Sequence, residues 1–191
     1  MYKRRLIFLT HAEVKIDPDV AVPEWPLSDV GRKRHDGFAQ SVYAANVTAV
    51  YSSTERKARE GAEPVAQRLS LIPKTCSALG ENDRSATGFL PSEEFERTAD
   101  AFFAQPDTSI CGWERARAAQ ARVVAAIKTL AELDETTGDI LVVAHGAVGA
   151  LLRCYLKGCE ITREEDQFAG GGAWFETDIH VRTAPGPWRR I

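Results

Sequence analysis

The apolar residues of this chain fall into short continuous runs that alternate with longer stretches of helical spacing. Three runs, LIFL (residues 6–9), VTAVYSS (47–53) and DILVVA (139–144), are typical of strands buried on both faces, as in a parallel sheet. The segment AWFETDIHV (173–181) alternates apolar and polar residues and predicts a last strand. The pattern therefore predicts four strands spread over the whole chain.

The stretches between these strands predict helices. Ser28 is a candidate N-cap for a helix over residues 29–45. Four residues of that helix would share one apolar face, namely Val30, Arg34, Phe38 and Val42. We place His35, like His180, on the surface or on a helix face. Further helices are predicted over residues 54–69 and 113–133, and another follows the strand at 139–144 directly.

Strands that alternate with helices predict an α/β fold with a mostly parallel sheet. The chain has 191 residues, 44% of them hydrophobic, which suits a single domain over residues 1–191. Residues 75–112 mix glycine, proline and polar positions, and we interpret them as a small insertion or lid. The formal net charge of −3 gives no electrostatic attraction for nucleic acid.

The cysteine pattern and the apolar runs indicate a cellular location. None of the four cysteines has the spacing of a zinc site, so we expect free thiols in a reducing compartment. The N-terminal apolar run is shorter than the roughly 7–15 residues of a secretory signal. No apolar run approaches the length of a membrane span. We therefore expect a cytoplasmic protein without a membrane partner.

Two predicted strands deliver a histidine at their carboxyl ends, His11 after the first and His145 after the third. Ligands of open α/β sheets bind outside these ends, so both imidazoles can face one crevice. A helix that begins just after His145 would point its free amides into the same crevice and favour an anion. Lys57 and Arg56 follow the second strand on that side. The arrangement predicts a phosphate site in which a histidine can act as nucleophile.

The motifs resemble, in order along nearly the whole chain, those of the histidine phosphatase superfamily. The family's Arg-His-Gly-Glu is similar to THAE at residues 10–13, and its Leu-Ser/Thr-x-x-Gly to LSDVG at 27–31. Its Ser-Ser-Pro-Leu-x-Arg-Ala-x-x-Thr-Ala pattern is similar to SSTERKAREGA at 52–62. Its Leu-x-Glu matches LGE at 79–81, and its Val-x-His-Gly turn matches VAHG at 143–146. Each motif is weak alone, and their common order carries the resemblance.

The resemblance implies a phosphoglycerate mutase-like fold, a three-layer α/β/α sandwich. It implies phosphoryl transfer through a phosphohistidine on His11, with charge on the transferring oxygens stabilised by His145 and nearby cations. Glu81 would protonate the leaving oxygen and then activate water. Glu13 and Gly146, which belong to the two histidine motifs, are predicted substrate-binding residues. The implied partner is a small phosphorylated substrate or phosphate, with no metal or other cofactor.

Two arginines of the family pattern are missing. Thr10 stands where the first would clamp phosphate, and it offers one hydrogen bond without charge. Lys57 stands where the second would lie, and it keeps the charge without the bidentate fork. Arg84, three residues after Glu81, is a candidate replacement, as is Arg56. The alternative for Arg84 is an exposed loop cation.

Three functions remain open on the sequence. The first is a phosphomonoester hydrolase. The second is a mutase of the glycolytic kind, which we disfavour because residues 75–112 lack an obvious basic lining for a bisphosphate. The third is a weakened or inactive homologue that binds a phosphorylated ligand or a partner protein. A serine hydrolase is excluded by the absence of a GxSxG elbow. The sequence does not indicate an oligomeric state.

Overall fold

The computed structural model describes residues 3–191, which contain a six-stranded mixed sheet flanked by helices. The strands are β1 (Arg5–Thr10), β2 (Val47–Ser52), β3 (Lys74–Thr75), β4 (Asp139–Ala144), β5 (Ala173–Asp178) and β6 (Arg189–Arg190). Their order across the sheet is β3-β2-β4-β1-β5-β6. The strands from β3 to β1 are parallel, and β5 and β6 add antiparallel pairings at one edge. This confirms the predicted α/β fold with a mostly parallel sheet.

Helices cover both faces of the sheet. They are α1 (Asp29–Ala39), α2 (Arg56–Arg68), α3 (Ser92–Ala104), α4 (Ala116–Leu133) and α5 (Gly146–Lys157). Leu6 and Phe8 of β1 point into a core shared with α4 and α5, whereas Ile7 and Leu9 point into a core shared with α1 and α2. Because successive side chains of a strand alternate between faces, one apolar run fills both cores. Each of these fully buried side chains contributes about 1.5–3 kcal/mol.

The face that α1 presents to the core differs from the one predicted from the sequence. Its buried residues include Gly31, His35 and Phe38, whereas Val30 is 55% exposed. Gly31 packs so closely on the chain after β1 that a Cβ there would collide with the backbone oxygen of Glu13. Because of this contact, the residues at helical spacing from Gly31 face the core. Of the two positions predicted for His35, the surface is therefore wrong, and the residue lies on the buried face of α1.

The segment at residues 75–112 contains α3 and two short 3-10 turns. Phe102 and Phe103 of α3 pack with Trp113 and Leu151 in a third apolar cluster on α4 and α5. That the segment acts as an insertion or lid within one domain stays a prediction. Among residues 3–191, no helix has the length and apolar character needed to cross a membrane.

Candidate active site

The two strand-end histidines lie side by side at the carboxyl edge of the sheet. His11 follows β1 and His145 follows β4, and these neighbouring parallel strands pair up to Thr10 and Ala144. The ring centroids of the two histidines are 5.2 Å apart, with an angle of 66° between the rings. A group bound between the strand ends can therefore contact both imidazoles.

The protonation state of His11 follows from its contacts. Its Nδ1 lies 2.9 Å from the carbonyl oxygen of Ala12 and donates to it, because a carbonyl oxygen only accepts. The neutral ring therefore keeps its lone pair on Nε2. Burial and the nearby Lys57 cation lower the pKa of His11 to about 4. At neutral pH the imidazole is unprotonated, which is the state a nucleophile requires.

A third histidine supports the backbone that follows His11. The N–H of Ala12 donates to Nε2 of His35 over 3.1 Å. The ring of His35 is buried against Gly61 of α2, where a Cβ would collide with it. Burial and the proximity of His11 lower the pKa of His35 to about 3, so its Nε2 stays an acceptor at neutral pH. His35 thereby fixes the position of the loop that carries His11.

His145 is fully buried at the end of β4. Its Nε2 lies 2.7 Å from Oγ of Ser53 and 3.3 Å from Oε1 of Glu55. Within residues 3–191 its Nδ1 has no hydrogen-bond partner. Burial lowers the pKa of His145 well below its usual value, although the Glu55 carboxylate opposes the shift. The ring is therefore neutral and has one nitrogen left to share a proton with a ligand.

A buried ion pair lies behind His145. Oε2 of Glu55 is 2.6 Å from Nζ of Lys57, which also donates to the carbonyl of Val22 over 2.8 Å. Burial raises the pKa of the Glu55 carboxyl, but His145 and Lys57 lower it to a net value of about 2. The carboxylate therefore balances the charge of Lys57, the cation expected to contact phosphate.

Replacing Glu55 with glutamine is expected to destabilise the fold by about 3–5 kcal/mol, because Lys57 would remain buried without a counter-ion. Urea unfolding at pH 7 measures this change. The double variant Glu55→Leu with Lys57→Met is the control, and removal of both charges is expected to cost less than removal of one. Equal losses in the single and double variants would contradict a buried ion pair.

Glu81 lies at the first turn of α5, directly after His145. Its carboxylate oxygens accept from the backbone N–H groups of Ala147 at 3.3 Å and Val148 at 3.1 Å. The side chain of His145 does not cap the helix, so Glu81 supplies acceptors for its free amides. Burial raises the pKa of the Glu81 carboxyl, although the nearby Arg84 opposes the shift. A carboxyl with a raised pKa is suited to donate a proton.

A crevice of about 590 Å³ opens above His11 and Glu81. Arg84 lines it, with its guanidinium 5.2 Å from the ring centroid of Phe95 and 5.6 Å from that of Trp113. In the described part of the chain, Arg84 forms no ion pair, whereas the other arginine of the crevice is paired with carboxylates. The charge of Arg84 is therefore available to an anionic ligand.

A family model for the histidine phosphatase superfamily (branch 1) matches residues 6–169, which include both histidines and Glu81. The chain belongs to the histidine phosphatase superfamily. This confirms the resemblance seen in the sequence motifs.

Solved structures agree with the superfamily assignment at the level of the fold. The mycobacterial glucosyl-3-phosphoglycerate phosphatase is 20% identical over 98% of this chain and 97% of that chain, with a TM-score of 0.76. YhfR of Bacillus stearothermophilus is 21% identical over 91% and 90%, with a TM-score of 0.76. A phosphoserine phosphatase of Entamoeba histolytica, in complex with 3-phosphoglyceric acid, is 19% identical over 98% of both chains, with a TM-score of 0.71. No curated protein sequence matches the chain.

In this histidine phosphatase fold, the predicted site residues separate into different places. Those that line the crevice are His11, Glu81, Arg84 and Gly146. Glu13 instead accepts from the hydroxyl of Ser28 at the start of α1, over 2.7 Å. The predicted phosphate contact of Arg56 needs correction, because its side chain pairs with Glu60 at 2.9 Å and lines a separate depression. Arg56 follows the end of β2, but the first turn of α2 directs it away from the histidines.

The remaining two predicted phosphate contacts, Thr10 and Lys57, are buried and do not line the crevice. The hydroxyl of Thr10 is engaged with the backbone of Ala173 and with Gln167. The ammonium of Lys57 is engaged with Glu55. Both side chains therefore bind other groups of the protein.

Several side chains that organise this histidine phosphatase site were missed by sequence reasoning. Glu55 stands where the family pattern has leucine, and that charged residue was a visible signal. Arg122 of α4 donates to the backbone carbonyl of Glu81 over 3.2 Å and so holds its loop in place. Gln167 contacts Thr10 from 157 positions away, and no local pattern indicates that contact.

Proposed function

We propose that this protein hydrolyses phosphomonoesters through a phosphohistidine on His11, without a metal ion. The observation that carries the proposal is the presence of an unprotonated His11 and a buried Glu81 of raised pKa in one crevice. The imidazole supplies a nucleophile and the carboxyl supplies a proton for the leaving oxygen. Phosphatases have similar folds, and one of them is a complex with inorganic phosphate, which supports a small phosphorylated ligand.

The reaction takes two steps. Nε2 of His11 forms a bond to phosphorus while the bond from phosphorus to the alcohol oxygen breaks, and Glu81 gives its proton to that oxygen. The alcohol then leaves. In the second step the Glu81 carboxylate accepts a proton from water, and the water oxygen attacks phosphorus and displaces His11. Inorganic phosphate departs, and both side chains return to their initial states.

Charge on the transferring oxygens would be stabilised by Arg84 in the crevice and by His145 at the adjacent strand end. Within the described residues, the Arg84 guanidinium forms no ion pair with a carboxylate, and His145 would share a proton through Nδ1. Glu55 behind His145 stabilises the imidazolium that this proton would create. Across residues 3–191, no group of three His, Cys, Asp or Glu side chains is arranged to hold a metal ion.

The covalent intermediate tests the proposal. The protein is mixed with 4-nitrophenyl phosphate in the presence of a chelator, quenched, digested and analysed by mass spectrometry. We expect nitrophenol and inorganic phosphate as products and one phosphoryl group on the peptide that contains His11. Turnover that the chelator abolishes, or a phosphoryl group on another residue, would overturn the proposed mechanism.

Two protein groups are expected to make kcat/KM fall on the acid and on the alkaline side of its pH profile. Activity should fall as the pH drops through about 4, because His11 then gains a proton and loses its nucleophilic lone pair. It should also fall at a pH above the ordinary carboxyl value of 4.5, because Glu81 then loses the proton it must donate. Glu81→Gln should remove the alkaline limb and keep the acid limb. An unchanged profile in Glu81→Gln would assign the proton donor to another group.

A second candidate function is favoured by the Glu55–Lys57 pair. The carboxylate offsets the cation expected to contact phosphate, so the crevice is less positive than the family pattern implies. A homologue of this kind would bind a phosphorylated ligand or partner protein without turnover. Calorimetric phosphate binding by a wild-type protein that hydrolyses none of a panel of phosphomonoesters would favour this candidate over hydrolysis.

A further inference from the structure

Thr10, at the position of the family's first arginine, has a buried hydroxyl that is bound to other protein groups. Thr10 is fully buried at the end of β1. Its Oγ1 accepts from the backbone N–H of Ala173 over 2.9 Å. The same hydroxyl donates to Oε1 of Gln167, with the carbonyl of Ala173 at 3.1 Å as a second acceptor. Thr10 is therefore turned toward β5 and the residues before it.

The oxygen end of the Gln167 amide faces Thr10, whose hydroxyl donates to it. The same hydroxyl accepts from the backbone N–H of Ala173. The NH₂ group of Gln167 lies at the opposite end of the amide. On that side lies Gly146, the first residue of α5, where an added Cβ would collide with Nε2 of Gln167. The amide nitrogen thus occupies space that only glycine leaves open.

The NH₂ group of Gln167 belongs to a side chain that lines the candidate phosphate site. Gln167, His11 and Gly146 line the same crevice. Within residues 3–191, Nε2 of Gln167 donates to no protein acceptor, while Oε1 is used by Thr10. Two N–H donors of Gln167 therefore remain without a protein acceptor in the crevice that also holds the nucleophile.

We infer that Gln167 binds a phosphate oxygen of the substrate and that Thr10 is its positioning residue. The inference rests on the proposed function and deepens it. Together the two side chains occupy the role that the family pattern assigns to an arginine next to the nucleophile. They supply directed hydrogen bonds and no charge, so the positive charge at the phosphate comes from Arg84. Where the family has an arginine, this chain therefore has Thr10, which holds the Gln167 amide as the contact to phosphate.

Binding of inorganic phosphate and of vanadate tests the inference, with calorimetry for the first and inhibition of 4-nitrophenyl phosphate hydrolysis for the second. Gln167→Leu should weaken both by at least about tenfold, as expected for one lost hydrogen bond to a charged group. Gln167→Glu keeps the shape and replaces a donor by an anion, so its effect should be larger. Gln120→Leu is the control, because the amide of Gln120 donates to the backbone of Leu151 and the residue does not line the crevice.

The positioning role of Thr10 has a separate readout. Thr10→Val removes the hydroxyl and keeps the shape, so it should raise KM several-fold with a smaller change in kcat. Thr10→Ser retains the hydroxyl and should restore KM. A residue that only supports the fold would instead lower thermal stability in both variants and leave the KM of the folded protein unchanged, and that result would remove Thr10 from the inference.

The outcomes separate this inference from the proposed hydrolysis. If wild-type protein turns over substrate while both Gln167 variants bind phosphate and vanadate normally, the role of Gln167 is overturned and the hydrolysis stands. If wild-type protein binds phosphate without turnover and Gln167→Leu weakens that binding, the hydrolysis fails and the role of Gln167 stands. If wild-type protein binds neither anion, both fail.

Discussion

Replacing His11 with alanine is expected to lower kcat/KM for any phosphomonoester substrate by at least about 10⁴-fold, because the covalent step loses its nucleophile. Steady-state kinetics with a chelator present measures the loss. Thermal unfolding of the same sample shows whether the fold is retained.

His180→Ala is the matched control for this change. His180 is an exposed histidine on the turn after β5, outside the crevice, and its loss should leave kcat/KM within about twofold of wild type. Residual activity of a tenth or more in a folded His11→Ala protein would assign the nucleophile elsewhere. An equal loss in His180→Ala would show that the effect is not specific to the crevice.

The second large effect is expected from Arg84→Met, which should lower kcat/KM by about 10²–10³-fold. Methionine keeps apolar contact with the rings of Phe95 and Trp113, so the packing of the crevice is retained while the charge is lost. The effect should be large because Arg163, the other arginine of the crevice, is committed to Glu96 and its neighbours. Kinetics with an aryl and an alkyl phosphate measures the loss on both classes of leaving group.

Two further variants sharpen this prediction. Arg84→Lys keeps the charge without the planar fork and should recover part of the lost activity. Arg56→Met is the control, because Arg56 carries the same charge but pairs with Glu60 outside the crevice. If Arg56→Met lowered kcat/KM as much as Arg84→Met, the effect would reflect the total charge of the protein and not a contact with phosphate.

The parts of the fold that the sequence predicts well are those encoded locally. The runs at β1 and β4 are apolar on both faces, so a short continuous run of apolar residues was enough to identify them as strands. Strands β3 and β6 have two residues each, which is too short for any periodicity to appear. The apolar face of α1 was predicted from Val30, yet its orientation depends on the close approach of Gly31 to Glu13. That contact belongs to tertiary packing and leaves no local pattern.

The residues of the site likewise differ in how far the sequence predicts them. His11 and His145 could be predicted because each one ends a recognisable strand, and Glu81 because it lies in a short motif. Gln167 could not be predicted, because its link to Thr10 joins residues 157 positions apart. Glu55 was recognisable as a departure from leucine, but its partner was not, since only the fold shows Lys57 buried beside it. Side-chain contacts that depend on tertiary packing can be identified only from the structure.

The position of Glu81 at the start of α5 has a consequence for the stages of the reaction. The same carboxyl that would donate a proton also receives the amides of Ala147 and Val148. A carboxylate at a helix N-terminus is a stronger acceptor than a neutral acid, because it meets the positive end of the helix dipole. In the proposed cycle the first turn of α5 is therefore anchored most firmly while phosphorus is attached to His11. The N-terminus of α5 would thereby stabilise the covalent intermediate. Once Glu81 regains its proton and phosphate leaves, its contact with the two amides would weaken.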